Sequence, residues 1–300
     1  MFCKVFRNDT IKEVPYTTDA KRSLYSMLEF GAGHASGKAE ALQYFNTSIS
    51  YEKLLELVNT CAAGFVKLGV KKGDFVTICL PNIPQCVIAV YAVNRIGAVC
   101  NLVHPLSTKD EIEYAVNLTK SRFILTFEMN EGHCRDLDAA VIRCRTPQYF
   151  PKSPKGFVLK TVYHQKVKNE PKLDNVVEWT DLLAGGAGIT LPEDTVKPED
   201  IAAIMYTGGT TGQSKGVMLS NQAINYTSSW LVRYYTTGDS HIGDAILAIL
   251  PVFHAFGLAV VINVPLSAGL RVILVPRFNP KDCAKIIRRE KTAYLAGVPV

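Results

Sequence analysis

Residues 206–217 read Tyr206-Thr207-Gly208-Gly209-Thr210-Thr211-Gly212-Gln213-Ser214-Lys215-Gly216-Val217. Closely spaced glycines let a backbone approach a ligand and adopt positive φ. Thr207, Thr210 and Thr211 add hydroxyl donors, and successive N–H groups in such a loop can line an anion-binding hollow. Lys215 supplies a positive charge able to reach a polyphosphate. The combination suits a triphosphate, although a bare Gly/Thr loop can also be an ordinary flexible turn. It is not a Walker loop, because Lys215 follows Ser214 and precedes Gly216 rather than Ser or Thr. The G-x-G-x-x-G dinucleotide spacing is absent as well. A second candidate is His254, in Leu250-Pro251-Val252-Phe253-His254-Ala255-Phe256-Gly257. A histidine in an apolar run is most often a satisfied core residue, so His254 needs support from its neighbours.

These residues need a scaffold, and the hydrophobic pattern describes one. Ser50 suits a helix N-cap, with Leu54, Leu57, Val58, Cys61, Phe65 and Leu68 at helical spacing after it. Gly69 ends that helix and Lys71-Lys72-Gly73-Asp74 turns the chain. Phe75–Leu80 reads as a buried strand, Pro84 to Ile96 as a helix and Ala98–Val103 as a strand. A helix from Thr108 or Lys109 through Asn117 and a strand Phe123–Phe127 follow. Residues 1–48 show no strong period. Residues 129–200, punctuated by Pro147, Pro151, Pro154, Pro171 and Pro192, read as an excursion between two halves of one large domain. Within it Phe157–Val167 is a short strand or a basic, aromatic surface strip, an ordinary exposed insertion being the simpler reading. Alternation resumes with a strand Ile201–Tyr206, the glycine loop, and a long helix from Ser220 to about Tyr235. Strand Ala245–Leu250, a helix near Phe256–Leu266, strand Arg271–Val275, helix Pro280–Glu290 and a strand near Tyr294–Ala296 complete it. Strands alternating with helices predict an α/β fold with parallel sheets covered on both faces.

Composition narrows the function class. The 48% hydrophobic and 20% charged residues describe a globular chain rather than a disordered one. The net charge of +6 is mild for 300 residues and shows no basic stripe, so nucleic acid is not an expected partner. The eight cysteines form no C-x-x-C pair and several lie in apolar runs, which argues against zinc and against a disulfide framework. No signal peptide and no membrane-length apolar run is visible. The cytosol is the default location, and peripheral membrane contact stays compatible with it.

The 206–217 string resembles the signature loop of the adenylate-forming superfamily of acyl- and aryl-CoA synthetases, luciferases and peptide-synthetase adenylation domains. That loop usually reads Tyr-Thr-Ser-Gly-Thr-Thr-Gly-x-Pro-Lys-Gly-Val, so Gly208 and Ser214 are departures. The first removes a hydroxyl and the second loosens a turn. Ile49-Ser50-Tyr51 through Gly69, then Gly73-Asp74-Phe75-Val76, Leu80-Pro81-Asn82 and Gly97-Ala98-Val99, resemble the family's early helix–strand–helix core. Leu250–Gly257 is similar to its Pro-x-Phe-His-x-x-Gly block, and Ala296-Gly297-Val298-Pro299 to the segment before the acyl pocket wall. The likeness covers about 50–127 and 200–300.

The resemblance implies the large N-terminal domain of that superfamily: two parallel-rich sheets packed with helices, the chain being one truncated domain over 1–300. It implies a carboxylate attacking ATP to give an acyl-adenylate and pyrophosphate, then a thiol, usually coenzyme A, displacing AMP. Thr207, Gly208, Gly209, Thr210, Thr211, Gly212 and Lys215 would hold phosphates, with Thr207 near Mg²⁺, and His254 would orient the carboxylate. His104 stands where relatives often carry an acidic or polar residue and reads as a strand-end cap. The Tyr-Gly-x-Thr-Glu block and the C-terminal lid are not in these 300 residues, so this piece alone is expected to be inactive. A fatty acid is the leading substrate. An aryl or amino acid, or a non-catalytic nucleotide- or acyl-binding module, is the alternative. The oligomeric state has no signal in the sequence.

Overall fold

Ahead of residue 48, where no period is visible, the chain forms helix α1 (Leu24–His34) and a hairpin of β1 (Glu40–Tyr44) and β2 (Thr47–Ser50). The computed structural model describes residues 21–207, 214–227 and 244–298. Phe45 and Asn46 both have positive φ, 47° and 68°. Two such residues make the mirror-image turn that matches the twist of paired strands, and asparagine tolerates it.

The next elements follow the hydrophobic spacing closely. They are α2 (Tyr51–Lys67), β3 (Phe75–Ile78), α3 (Pro84–Arg95), β4 (Val99–Leu102), α4 (Lys109–Thr119) and β5 (Phe123–Thr126). Local chemistry sets their ends. The Ser50 hydroxyl accepts from the Lys53 N–H at 3.2 Å, and Pro84 sits in the first turn of α3. Thr108 and Glu111 cap α4 reciprocally, an arrangement worth about 1 kcal/mol.

Beyond residue 129 the structure departs from the expected excursion. Two more parallel strands, β6 (Ala140–Arg143) and β7 (Val177–Glu178), extend the sheet past β5. Between them α5 (Pro154–Val167) is a helix, which corrects the strand reading of Phe157–Val167. Ser153 caps it and Pro154 presets its first turn. After β7 comes α6 (Trp179–Gly186). A buried ionic cluster binds this region together. Arg143 donates to Glu131 from Nε at 2.7 Å and also from Nη2, to Glu178 at 2.8 Å and to the Leu173 carbonyl at 2.6 Å. The Leu173 N–H returns to Glu131 at 2.6 Å. With Glu131 1% exposed and Arg143 10%, each charge depends on the other. Sequence spacing carries no trace of contacts this remote.

The chain then enters β8 (Ile201–Tyr206) and, after the glycine loop, β9 (Gly216–Ser220), an antiparallel strand the sequence did not suggest. Residues 221–227 are helical (α7), so the long helix expected from Ser220 starts one residue later. Its continuation to Tyr235 lies outside the described residues. The rest comprises β10 (Ala245–Ala248), a π-helical segment Gly257–Asn263 running into α8 (Val264–Ser267), β11 (Arg271–Leu274), α9 (Pro280–Glu290) and β12 (Tyr294–Leu295).

Two sheets result, as the resemblance implied. One has the order β12-β10-β11-β1-β2 and the other β7-β6-β5-β3-β4-β8-β9. All described pairings are parallel except those of the edge strands β2 and β9. Helix α3 is buried on every face from Pro84 to Asn94 and lies on β3 and β4. Helix α2 joins α3 to β1 of the other sheet and packs against α6. The α2–α6 crossing brings backbones together: a Cβ on Gly64 would strike the Leu182 carbonyl and one on Gly186 the Thr60 carbonyl. Buried Leu54, Val58 and Phe65 project from α2, each contributing about 1.5–3 kcal/mol.

Candidate functional site

In open α/β sheets ligands bind beyond the carboxyl ends of the strands, and the candidate residues fall there. Asn82 follows β3, His104 follows β4, Thr207 follows β8 and His254 follows β10. The β4–β8 register pairs Leu102 with Met205. His104 and Thr207, each two residues further, therefore leave neighbouring strands about 5 Å apart.

Tyr206, which opens the glycine string, is anchored below the loop. Its hydroxyl donates to Asn101 Oδ1 at 2.8 Å, and Asn101 Nδ2 in turn donates to Thr77, Thr119 and the Ala115 carbonyl. Burial pushes the Tyr206 phenol up to about 12, so the donor persists at neutral pH. The loop is closed at its base. The Thr207 N–H donates to the Lys215 carbonyl at 3.0 Å, and the Ser214 hydroxyl donates to the Thr207 carbonyl. Serine in place of the usual proline thus contributes a cross-loop hydrogen bond instead of a rigid ring. Thr207 and Lys215 are exposed, and the Lys215 ammonium makes no ion pair among the described residues. Gly208, Gly209, Thr210, Thr211 and Gly212 lie outside the described residues.

On the other sheet, Pro251–His254 forms a tight turn, with the His254 N–H donating to the Pro251 carbonyl at 3.1 Å. The His254 carbonyl accepts from the Leu258 N–H at 2.9 Å and leads into the π-helical segment. Gly257 is required here: a Cβ would overlap the Pro251 carbonyl oxygen. Phe253 is buried while His254 is exposed. The Phe253 ring sits 4.5 Å from that of His254 and 4.6 Å from that of His104. The Leu106 N–H donates to His104 Nδ1 at 3.0 Å, which leaves the ring hydrogen on Nε2. The fractional burial that goes with this packing holds the His104 pKa below its usual value. The nearby His254 lowers it further and Glu111 opposes both.

The two sheets are joined at this point by Asn82, which sequence reasoning noted only as part of a resemblance. Its Nδ2 donates to the carbonyls of Ala248 and Leu250 at 3.0 and 2.9 Å, and its Oδ1 accepts from the Val252 N–H at 3.1 Å. The side chain of a residue after β3 therefore sets the path of the chain from β10 to His254. A second buried network lies behind it. Asn263, in the π-helical segment, donates to Asn225 on α7 at 2.8 Å and accepts from the Tyr91 hydroxyl at 3.1 Å. A widened π turn next to a site is a recurrent device. The helix after the glycine loop and the helix after His254 thus share one set of hydrogen bonds. Isolated asparagines in apolar context were the available signal, since buried amides must find partners.

Among the described residues no group of three or more His, Cys, Asp or Glu side chains is placed to hold a metal ion. No helix among them is long and apolar enough to cross a membrane. The described cysteines are buried and free.

Residues 31–300 match the family described as AMP-binding enzyme. The chain belongs to that family. It is 29% identical to the long-chain-fatty-acid–CoA ligase of Bacillus subtilis over 98% of its own length and 53% of that protein. It is 28% identical to a probable 4-coumarate–CoA ligase 1 of Dictyostelium discoideum, over 81% of the chain and 43% of the relative. The chain spans about half the length of these curated relatives. Among solved structures, the acyl-CoA synthetase of Brucella canis superposes with a TM-score of 0.72 at 20% identity, covering 94% of this chain and 48% of that one. The anthranilate CoA ligase AuaEII, in complex with anthranoyl-AMP, gives 0.73 at 16% identity over 92% and 49%. At these identities the superpositions establish the fold, that of the large N-terminal domain of adenylate-forming enzymes.

Proposed function

We propose that this AMP-binding chain carries the nucleotide and carboxylate sites of an ATP-dependent acid–CoA ligase acting on a fatty acid. The convergence of the β3, β4, β8 and β10 carboxyl ends around Asn82, His104, Phe253 and the base of the glycine loop carries this reading. A carboxylate oxygen attacks the α-phosphorus of ATP as the bond to the bridging oxygen breaks and pyrophosphate leaves. The thiol of coenzyme A then attacks the acyl carbonyl and AMP departs.

The chemical difficulty is bringing an anion to a polyanion, which demands preplaced positive groups and N–H donors. Lys215, exposed and without an ion pair among the described residues, and the closed loop base at Thr207 fit a triphosphate tail, and the glycine and threonine residue types of 208–212 suit the same role. His254, held at the end of the Asn82-clamped segment, would orient the carboxylate. Mg²⁺ bound to the nucleotide would spread phosphate charge, and the Thr207 hydroxyl would be its protein contact at the loop base. Thr207 offers a single neutral hydroxyl, so an ion held there would take most of its oxygen ligands from the nucleotide phosphates.

The near full-chain likeness to a fatty-acid ligase favours a fatty acid, and the coumarate-ligase relatives favour an aryl acid as the second reading. Isothermal titration with ATP tests the nucleotide site. Lys215→Ala should weaken ATP binding about ten-fold or more, the scale of one lost charge-assisted contact, and change AMP binding little. Wild-type chain that binds no nucleotide would refute the proposal. AMP release by the full-length ligase from fatty, hydroxycinnamic and amino acids separates the substrate readings.

A further inference from the structure

Helix α5 presents an apolar side to solvent. Phe157, Val158 and Val162 are 73%, 59% and 52% exposed, while Leu159, Tyr163 and Val167 on the opposite side face the protein core. At the helical rotation of about 100° per residue, the three exposed side chains share one arc. Lys160 flanks it on one side, Lys155 and Lys166 on the other. Lys152 and Lys168 lie at the helix ends. All five lysines are exposed, and none has a carboxylate partner among the described residues.

The charge balance is lopsided. The chain as a whole carries +6, whereas residues 152–168 hold five lysines and no Asp or Glu. The remaining residues together net only +1, so this helix corrects the expectation that no basic stripe is present. The helix lies in the β6–β7 crossover, at the opposite end of its sheet from the β8–β9 hairpin. Docking there would leave the glycine loop accessible.

We propose that α5 is an interfacial helix that seats the protein on an anionic lipid surface, with Phe157, Val158 and Val162 in the headgroup–acyl boundary. The lysines would lie over the phosphates, their methylene stems extending the apolar surface. A membrane is favoured over a protein partner because the stripe is shallow, with Thr161 and Gln165 between its apolar members. Five lysines with no Asp or Glu within residues 152–168 fit a diffuse anionic plane. The inference stands apart from the nucleotide chemistry, and its test needs no activity.

The test is co-sedimentation of the chain with vesicles of phosphatidylcholine alone or with about 30 mol% phosphatidylserine, a composition that gives a negative surface potential. Binding is expected only to the anionic vesicles, and it should fall steeply in high salt. Each lysine near the surface is worth about five-fold in partition, so Lys155→Glu/Lys160→Glu/Lys166→Glu should weaken binding by about 100-fold or more. Phe157→Ser should weaken it about ten-fold through lost apolar insertion. The exposed pair Lys281→Glu/Arg288→Glu on α9 is the charge control and should retain most of the binding. Circular dichroism checks that each variant is folded. Several results would overturn the proposal: no anionic-vesicle binding, equal binding to both vesicles, an unaffected triple variant, or an equal loss in the control. Self-association abolished by Phe157→Ser, without vesicle binding, would put a second copy of the chain in place of the lipid.

Discussion

Replacing Asn82 with alanine removes three hydrogen bonds from a side chain that is 5% exposed. The Ala248 carbonyl keeps a partner, because the Val275 N–H also donates to it at 3.3 Å. The Val252 N–H and the Leu250 carbonyl are left to whatever water can enter. Each buried polar group stranded in this way costs about 1–3 kcal/mol, so the two together cost about 2–6 kcal/mol in Asn82→Ala. In a chain of 300 residues that corresponds to a fall in Tm of about 3–10 °C, at about 1.6 °C per kcal/mol. Asn82→Asp keeps the shape but sets carboxylate oxygens against two carbonyls, and should be at least as damaging. The informative assay is hydrogen exchange read alongside thermal melting. Protection at Val252 and His254 should drop sharply while core amides of β3, such as Val76, change only with global stability. A Tm within about 1 °C of wild type, a shift well below 1 kcal/mol, together with unchanged exchange at 252–254, would refute the clamp.

Gly257→Ala should destabilise the chain by more than the ordinary helical preference for alanine could offset, since the new methyl overlaps the Pro251 carbonyl; denaturant melts and the His254 NMR signal report it. Glu131→Ala strands a buried Arg143 and should cost about 3–5 kcal/mol, with Glu131→Gln costing less; urea unfolding measures both. His104 should titrate below the ordinary histidine value of about 6.5, and its midpoint should rise in His254→Ala and fall further in Glu111→Gln. Because folding favours the neutral ring, the native state loses stability as pH falls from the unfolded-state value through the lower folded one. An NMR midpoint at or above the ordinary value would contradict the packing of His104 on Phe253.

The residues before 48 were opaque for a physical reason. Strand β1 lies inside its sheet, paired with β2 and β11, and most of it is buried, so it shows no polar–apolar alternation to read. The Phe45-Asn46 turn lacks the glycine that usually announces a hairpin. Strand β9 was hidden by the string before it, because Gly216-Val217-Met218 reads as the end of a loop. Asn82 stood within a quoted resemblance, but nothing in its local spacing says that its amide reaches residues 166–170 positions away.

Local chemistry in the sequence was enough to determine the helices from Ser50 to Thr119 and the parallel strands between them. Caps, turns and hydrophobic period act over a few residues, and each can be read where it occurs. Tertiary structure alone decided that β6 and β7 belong to the sheet, that Glu131 and Arg143 neutralise one another, and that Asn82 and Phe253 join two sheets beside His254. Those contacts form only when the chain has folded back on itself, and the desolvation that makes them matter does not exist in the extended chain.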